Sequence, residues 1–251
     1  MVDLDPIILY MHGAGPTPWK VAIILEELGL PYTKQQVELS EIKKEPYISI
    51  NPNGRVPSIY DPNKNLTLWE SGAIIGYLID TYDTDSLLKY DSFPEKYITR
   101  CWESFQMSGQ GPYFGQKSWF ELFHPERIPS AIERYRNEIK RVIGVIDSHL
   151  IKQKSDYLVG DKCTYADLMF IPYFRSLATV FAPEIDQTQW KAYGSWLERI
   201  SSRPATARVL AMYDSTPRPS VFRTRGVDTH DGSVPLPVQQ PVRIEKEDGD
   251  S

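Results

Sequence analysis

Two stretches decide the architecture: NPNGRVPSIYD, Asn51 to Asp61, and LTLWESGAIIGYL, Leu66 to Leu78. In the first, Asn-Gly between prolines is turn chemistry, and Val56 to Tyr60 has the composition of a strand. Pro57 would remove a ladder hydrogen bond inside a sheet, so it marks a strand start or an edge. In the second, Leu66 to Trp69 is a short strand that runs directly into SGAIIGYLIDTY, which is patterned as a helix. Two strands followed at once by a helix make a β-β-α unit.

Towards the N-terminus, Ile7 to Met11 reads as a buried strand and Pro18 to Leu28 as a helix with Val21, Ile24, Leu25 and Leu28 at helical spacing. Thr33 to Leu39 is a further strand. The order β-α-β, then β-β-α, predicts a small α/β domain over residues 6–83, with helices packed on a mixed sheet. Residues 84–92 are polar and aperiodic and read as a linker. From 93 to 216 the pattern is helical almost throughout. Ile132, Tyr135, Ile139, Val142, Ile143, Ile146 and Leu150 form one stripe. Thr164-Tyr165-Ala166-Asp167 has the spacing of a capping box, and Gln187–Ser201 and Pro204–Tyr213 read as two more helices. Residues 217–251 are rich in Pro, Val and charge without period, a composition expected of a disordered tail.

The chain of 251 residues, 41% hydrophobic and 24% charged, is that of an ordinary globular protein. A net charge of −5 gives no global attraction for nucleic acid. The start, Met1-Val2-Asp3-Leu4-Asp5, is acidic where a secretory signal is basic, and no apolar run is long enough to span a bilayer. Two cysteines, Cys101 and Cys163, are too few for a disulfide framework. A cytoplasmic location is therefore expected. His12, His124, His149 and His230 show no metal-ligand spacing, so no metal site is expected. A phosphate loop, a serine-hydrolase elbow and a Cys-x-x-Cys at the first strand–helix junction are all missing from the sequence.

Three features of the α/β domain carry chemistry. In GPTPWKVA, Gly15 to Ala22, Thr17 stands before Pro18, which biases it to extended dihedrals, and Pro18 suits the first helical position. Thr17 thus reads as a helix cap accepting from the Lys20 amide, with a hydroxyl proton to spare for something outside the helix. Asn51 to Pro57 reads either as a plain turn before an edge strand or, if the Val56–Pro57 bond is cis, as a way of turning the Val56 backbone outward towards an extended peptide. In Trp69-Glu70-Ser71-Gly72-Ala73, Ser71 is the expected N-cap. The helix N-terminus is an anion site and Glu70 can hold an amine, a combination that suits the α-amino acid end of a ligand.

Taken together, NPNGRVPSIYD with LTLWESGAIIGYL resembles the glutathione-binding half of the cytosolic glutathione transferases. SFQMSGQGPYFGQ and LVGDKCTYADLMFIPY resemble that superfamily's second domain. TPWKVAIILEELGLPY, SGQGPYFGQ and AIERYRNEIKRVIGVID are similar to its fungal branch, related to the nitrogen-catabolite regulator. The resemblance implies a thioredoxin-like N-terminal domain, an all-α C-terminal domain and a homodimer. It implies that Val56, ahead of a cis Pro57, pairs with glutathione's cysteinyl unit, and that Glu70 and Ser71 hold the γ-glutamyl end. Arg55 supports that end or a dimer contact. A pocket between the domains would admit a hydrophobic electrophile, lined by Trp102, Gln106, Tyr113, Phe114 and Lys117, although aromatics so spaced also suit a core. Two positions depart from the branch. Thr17 stands where Asn is usual, and Ile42 stands where His or Gln holds the glycyl end. Lys43 or Lys44 could supply a cation there, or simply cover the helix surface.

A cysteine-like thiol with a pKa near ~8.5 is about 3% ionised at pH 7, and lowering it by two units gains at most ~25-fold. That shift is about 2.7 kcal/mol, within reach of one hydroxyl and a helix N-terminus. The leading expectation is a glutathione transferase in which Thr17 stabilises the thiolate. The same site would serve a double-bond isomerase by thiol addition and elimination, or the reduction of a glutathione disulfide. A non-enzymatic glutathione-binding regulator is the rival. The regulator of that branch carries a long Asn/Gln-rich extension, whereas this fold is expected to begin within about six residues.

Overall fold

The computed structural model of the protein describes residues 4–13, 15–177 and 184–217. The expected tail therefore lies outside the described residues from 218 onward. The first half runs β1 (Ile7–Met11), α1 (Pro16–Glu27), β2 (Tyr32–Gln36), a one-turn α2 (Tyr47–Ile50), β3 (Ser58–Asp61), β4 (Leu66–Trp69) and α3 (Ser71–Tyr82). The sheet order is β2-β1-β3-β4. β1 and β2 pair in parallel, as the crossover through α1 requires, and the other two pairings are antiparallel. The thioredoxin-like sheet is thus as expected, with differences at the element boundaries.

β2 stops at Gln36 rather than Leu39, because Met11↔Gln36 is the last pair that β1 can offer. β3 begins at Ser58 rather than Val56, since Pro57 has no N–H to give the ladder; the Val56–Pro57 bond is cis. α1 begins at Pro16 rather than Pro18. Gly15, extended at φ −88° and ψ 143°, is its N-cap. Prolines at the first and third helical positions surrender only N–H groups that the first turn leaves unused. The helix ends on Gly29, left-handed at φ +64°, where the Leu30 amide bonds back to the Leu25 carbonyl at 2.9 Å.

The linker is anchored. Both carboxylate oxygens of Asp83 accept from the backbone, from Leu87 at 2.7 Å and from Leu88 at 2.9 Å. Beyond it, α4 (Glu95–Phe105), a π-helical turn at Gln106–Gln110, α5 (Gly111–Ser118) and a second π-helical turn at Trp119–Phe123 form one unbroken run. The first turn brings Gln106 and Gln110 inside, where Gln106 donates to Gln110 at 3.0 Å and Gln110 to the Phe170 carbonyl at 3.2 Å. α6 (Pro129–Gln153) buries the predicted stripe except for Tyr135, which is half-buried. α7 (Tyr165–Met169), α8 (Ile171–Arg175), α9 (Lys191–Ser201) and α10 (Pro204–Ser215) complete the domain. α9 starts four residues later than expected, because Asp186 binds the Thr188 amide and hydroxyl and holds that segment as a turn.

The capping box forms as predicted, and its acid does more than cap. Asp167 accepts from the Thr164 amide and hydroxyl, from the Leu158 amide and from the Trp196 indole, all between 2.8 and 2.9 Å. Burial raises its carboxyl pKa above the usual range, while these four donors favour the charged form. They tie α7, its preceding loop and α9 together. Among the described residues no helix is long and apolar enough to cross a membrane.

α1 lies between the sheet and the helical domain, packed against α3, α7, α8 and α10, with Pro18 through Leu25 all buried. Its polar side chains therefore find partners across the seam. Glu27 receives a two-pronged Arg203, at 3.0 and 2.7 Å, and the Thr206 hydroxyl at 2.8 Å. Lys20, only 2% exposed, donates to Gln106 Oε1 at 2.8 Å and approaches Met107 Sδ at 3.1 Å. Desolvation lowers its pKa to about 7, although Glu70 and Glu103 favour the charged form. An unfolded lysine stays protonated to about pH 10.4. Between these values the unfolded chain binds more protons, so the Lys20 contribution to stability rises with pH from about 7 to about 10. Lys20→Met removes that dependence. Urea unfolding across this range should show the difference between variant and native changing steadily with pH, and a constant difference would contradict a titrating buried lysine.

Candidate active site

Strand register gathers the three features picked out in the sequence. Tyr10 stands opposite Ser58 across β1 and β3, and Ser58 stands opposite Trp69 across β3 and β4. The end of β1 leading to α1, the Val56-Pro57 step before β3, and the Glu70-Ser71 step after β4 therefore share one end of the sheet. A side-chain bond ties two of them directly, from Asn53 Nδ2 to Glu70 Oε1 at 3.1 Å.

Thr17 sits in the first turn of α1, half-buried, with no capping bond from its side chain. The expected cap is thus corrected: Gly15 holds that place, because the helix begins two residues earlier. The Thr17 hydroxyl instead meets the Tyr173 phenol of α8 at 2.7 Å. Burial pushes the Tyr173 pKa up, so the phenol keeps its proton at neutral pH.

The loop before β3 is held from within. Tyr47 donates to the Arg55 carbonyl at 2.7 Å, and the Asn51 side chain receives the Asn53 amide at 2.9 Å. Gly54 is left-handed at φ +58°, and a Cβ there would lie 2.9 Å from the Ile42 carbonyl and 3.1 Å from Lys43 Cγ. Only glycine lets the turn carrying Lys43 come so close. Lys43 itself is exposed, and Lys44 pairs with Glu41 at 3.0 Å. Pro57 is buried, while Val56 is half-buried and no backbone bond from another described residue engages it. Arg55 is exposed, and its charge acts on the Tyr173 phenol.

At the third corner Glu70, not Ser71, is the N-cap of α3, and Ser71 is the first helical residue. Glu70 has φ +67° and ψ 115°, a conformation that a residue with a Cβ adopts at a cost of about 1–3 kcal/mol. That geometry holds an exposed carboxylate beside the free amides of the first turn. Ser71 is buried, its hydroxyl 3.8 Å from Met107 Sδ.

The residues expected to line a pocket divide differently. Trp102 packs edge-on against Phe105 and His149, and Phe114 against Tyr173 and Phe174. Gln106 joins the network with Lys20, and Lys117 is paired with Glu121 and Glu184, each at 3.3 Å. All four are buried, so they belong to the packed interior rather than to a cleft wall. Tyr113 alone of the five is half-buried, near Tyr135. For Phe114 and Lys117, which follow it, the cause is the π-helical turn, which rotates the α5 face relative to a regular α-helix.

Tyr173, Lys20, Asn53 and Met107 were not anticipated as neighbours of the site. Lys20 had a signal: a lone cation three residues after Thr17 in a helix apolar on every face. Tyr173, in the uniformly apolar run IPYF, had none.

Chemically, the three corners offer a carboxylate beside a helix N-terminus, an unpaired backbone unit at Val56, and a hydroxyl in the first turn of α1. They complement an extended short peptide with a free amino-acid end and a polar atom near its middle. Residues 14–81 match the model of the glutathione S-transferase N-terminal domain, and residues 117–211 that of the C-terminal domain. The chain is 47% identical to the glutathione S-transferase-like protein OpS6 of Beauveria bassiana, over 84% of this chain and 97% of the relative. The crystal structure of the glutathione transferase URE2P6 from Phanerochaete chrysosporium, in complex with oxidized glutathione, superposes with a TM-score of 0.77 at 44% identity, covering 83% of this chain and 96% of that one. Ure2p5 of the same fungus, cocrystallized with 1-(S-glutathionyl)-2,4-dinitrobenzene, gives a TM-score of 0.75 at 36% identity over 83% and 94% of the two chains. The chain belongs to the glutathione S-transferase family.

Proposed function

We propose that the protein is a glutathione transferase that joins the glutathione sulfur to an electrophilic carbon of a hydrophobic small molecule in the cytoplasm. The observation that carries this reading is the register that brings the Thr17 hydroxyl, the free Val56 backbone and the Glu70-Ser71 helix start to one end of the sheet. Glutathione lies across them. Its cysteinyl unit pairs with Val56 as an added strand. Its α-carboxylate meets the amides at the start of α3, and its α-ammonium meets Glu70. Arg55 adds positive charge beside the same loop. Lys43, whose stem lies close to Gly54, meets the glycyl carboxylate, since Ile42 offers no polar group.

Thr17 donates to the sulfur and favours the thiolate. The thiol proton leaves to solvent and the thiolate attacks the electrophilic carbon. As the S–C bond forms, either a carbon–leaving-group bond breaks and the group departs with its electron pair, or a C=C π bond opens and the resulting carbanion takes a proton from solvent. A protein thiol is ill-suited to this role. Burial pushes the Cys163 thiol far above its ordinary range, and Cys101 is exposed on α4. That Ure2p5 was crystallized with a glutathione conjugate supports conjugation as the reaction. We also propose a homodimer, in which a second copy covers the aromatic start of α4. There Phe93 is 83% and Tyr97 59% exposed, in edge contact with each other.

Thr17→Ala should raise the thiol pKa of bound glutathione by roughly 1–2 units, read by ultraviolet absorbance of the thiolate. An unshifted pKa with unchanged turnover would remove Thr17 from the chemistry. Glu70→Gln should weaken glutathione binding by roughly 10–100-fold, the loss of one charge-assisted contact, in calorimetry. Light scattering should give twice the chain mass for the native protein and the single-chain mass for Phe93→Glu/Tyr97→Glu. A native monomer would overturn the dimer.

A further inference from the structure

Thr17 and Tyr173 lie 156 positions apart in sequence, one on each domain, with their oxygens 2.7 Å apart. That is the usual length of a hydroxyl–hydroxyl bond, and its direction matters. A threonine hydroxyl has one proton and two acceptor sites. If Thr17 gave its proton to Tyr173, it would have none for a sulfur. If Tyr173 gives, the Thr17 proton is free, and its oxygen, by accepting, becomes the stronger donor.

Three observations set the direction. A phenol is the more acidic of the two hydroxyls and hence the better donor. The Arg55 charge acts on the same phenol and increases that acidity, while burial keeps the phenol protonated. Exposure is also asymmetric. Tyr173 is buried, its ring edge-on to Phe114 and its oxygen close beside Gly111, whereas Thr17 is half-buried. The buried partner can hold the more exposed one, and the more exposed one is nearer the open end of the sheet.

We propose that Tyr173 is the positioning residue for Thr17: its phenol donates to Thr17 Oγ1 and leaves the threonine proton directed at the glutathione sulfur. No group is transferred in this step; Tyr173 neither touches glutathione nor loses its proton. The helical domain thereby orients the donor on α1, so docking of the two domains completes the thiol-binding site. The inference rests on the proposed role of Thr17, and its test separates the two.

Glutathione is bound to the native protein and to Thr17→Ala, Tyr173→Phe and the double variant, and the thiolate absorbance is titrated in each. Tyr173→Phe should raise the bound-thiol pKa, by less than Thr17→Ala does. The double variant should match Thr17→Ala alone, because Tyr173 acts only through Thr17. Conjugation at a pH below the thiol pKa should fall about two- to fivefold in Tyr173→Phe, and the deficit should vanish above it. Glutathione affinity at that higher pH should stay near native, which verifies an intact fold. If Thr17→Ala raises the pKa while Tyr173→Phe leaves it unchanged or lowers it, the proposal fails and Thr17 keeps its role. A double variant with a pKa above that of Thr17→Ala would show that Tyr173 acts by another route. If Thr17→Ala shifts nothing, the thiolate role and this proposal fall together.

Discussion

Helix α1 is largely enclosed. The sheet and α3 cover one side, and α7, α8 and α10 cover the other, so its polar groups are answered at close quarters, the Trp19 indole by the Gly13 carbonyl and most of the others by the helical domain. Three of its polar residues are answered in this way: Thr17 by Tyr173, Lys20 by Gln106, and Glu27 by Arg203 and Thr206. Spaced three and seven residues apart, they fall within roughly 80° of one another on the helix wheel. The row that joins the domains thus begins at the residue proposed to meet the thiol. With that role for Thr17, the first link of the seam belongs to the proposed site, and loosening the domains and detuning the thiol are expected to be linked.

The same enclosure explains the electrostatics. A lysine with little water around it prefers to be neutral, yet Glu70 and Glu103 pull it towards the charged form, and the balance falls near pH 7. Lys20 reaches the π-helical turn, where Met107 also touches Ser71 and packs on Gly72. One methionine therefore bridges the helix expected to meet the thiol and the helix expected to meet the γ-glutamyl end. Methionine suits a gap between a cation, a hydroxyl and a glycine because it is unbranched and polarizable.

What could be read from the sequence was what depends on neighbours along the chain. The β-β-α unit, the stripe of α6 and the capping box at Thr164–Asp167 are each set by a few adjacent residues. Helix starts were less legible. Pro16 and Pro18 are both tolerated in a first turn, so the pattern did not choose between them, and the cap fell on Gly15 rather than Thr17. At α3 the cap fell on Glu70, because its left-handed backbone is imposed by the surrounding fold and not by any preference of glutamate. The expected pocket residues are buried for a different reason. Phe114 and Lys117 follow helical spacing, but the π-helical turn ahead of them rotates the later part of the run and turns them inward, whereas Trp102, before that turn, is covered by Phe105 and His149. Tyr173 could not have been found, since only the packing of distant helices brings its hydroxyl to Thr17.

A crystal structure with glutathione bound tests the central claim most directly. The account predicts the sulfur within about 3.5 Å of Thr17 Oγ1, the Val56 backbone paired with the cysteinyl unit, and Tyr173 still bonded to Thr17 from behind. A sulfur turned away from Thr17, or a Thr17 hydroxyl engaged only with Tyr173 and out of reach of the ligand, would contradict it.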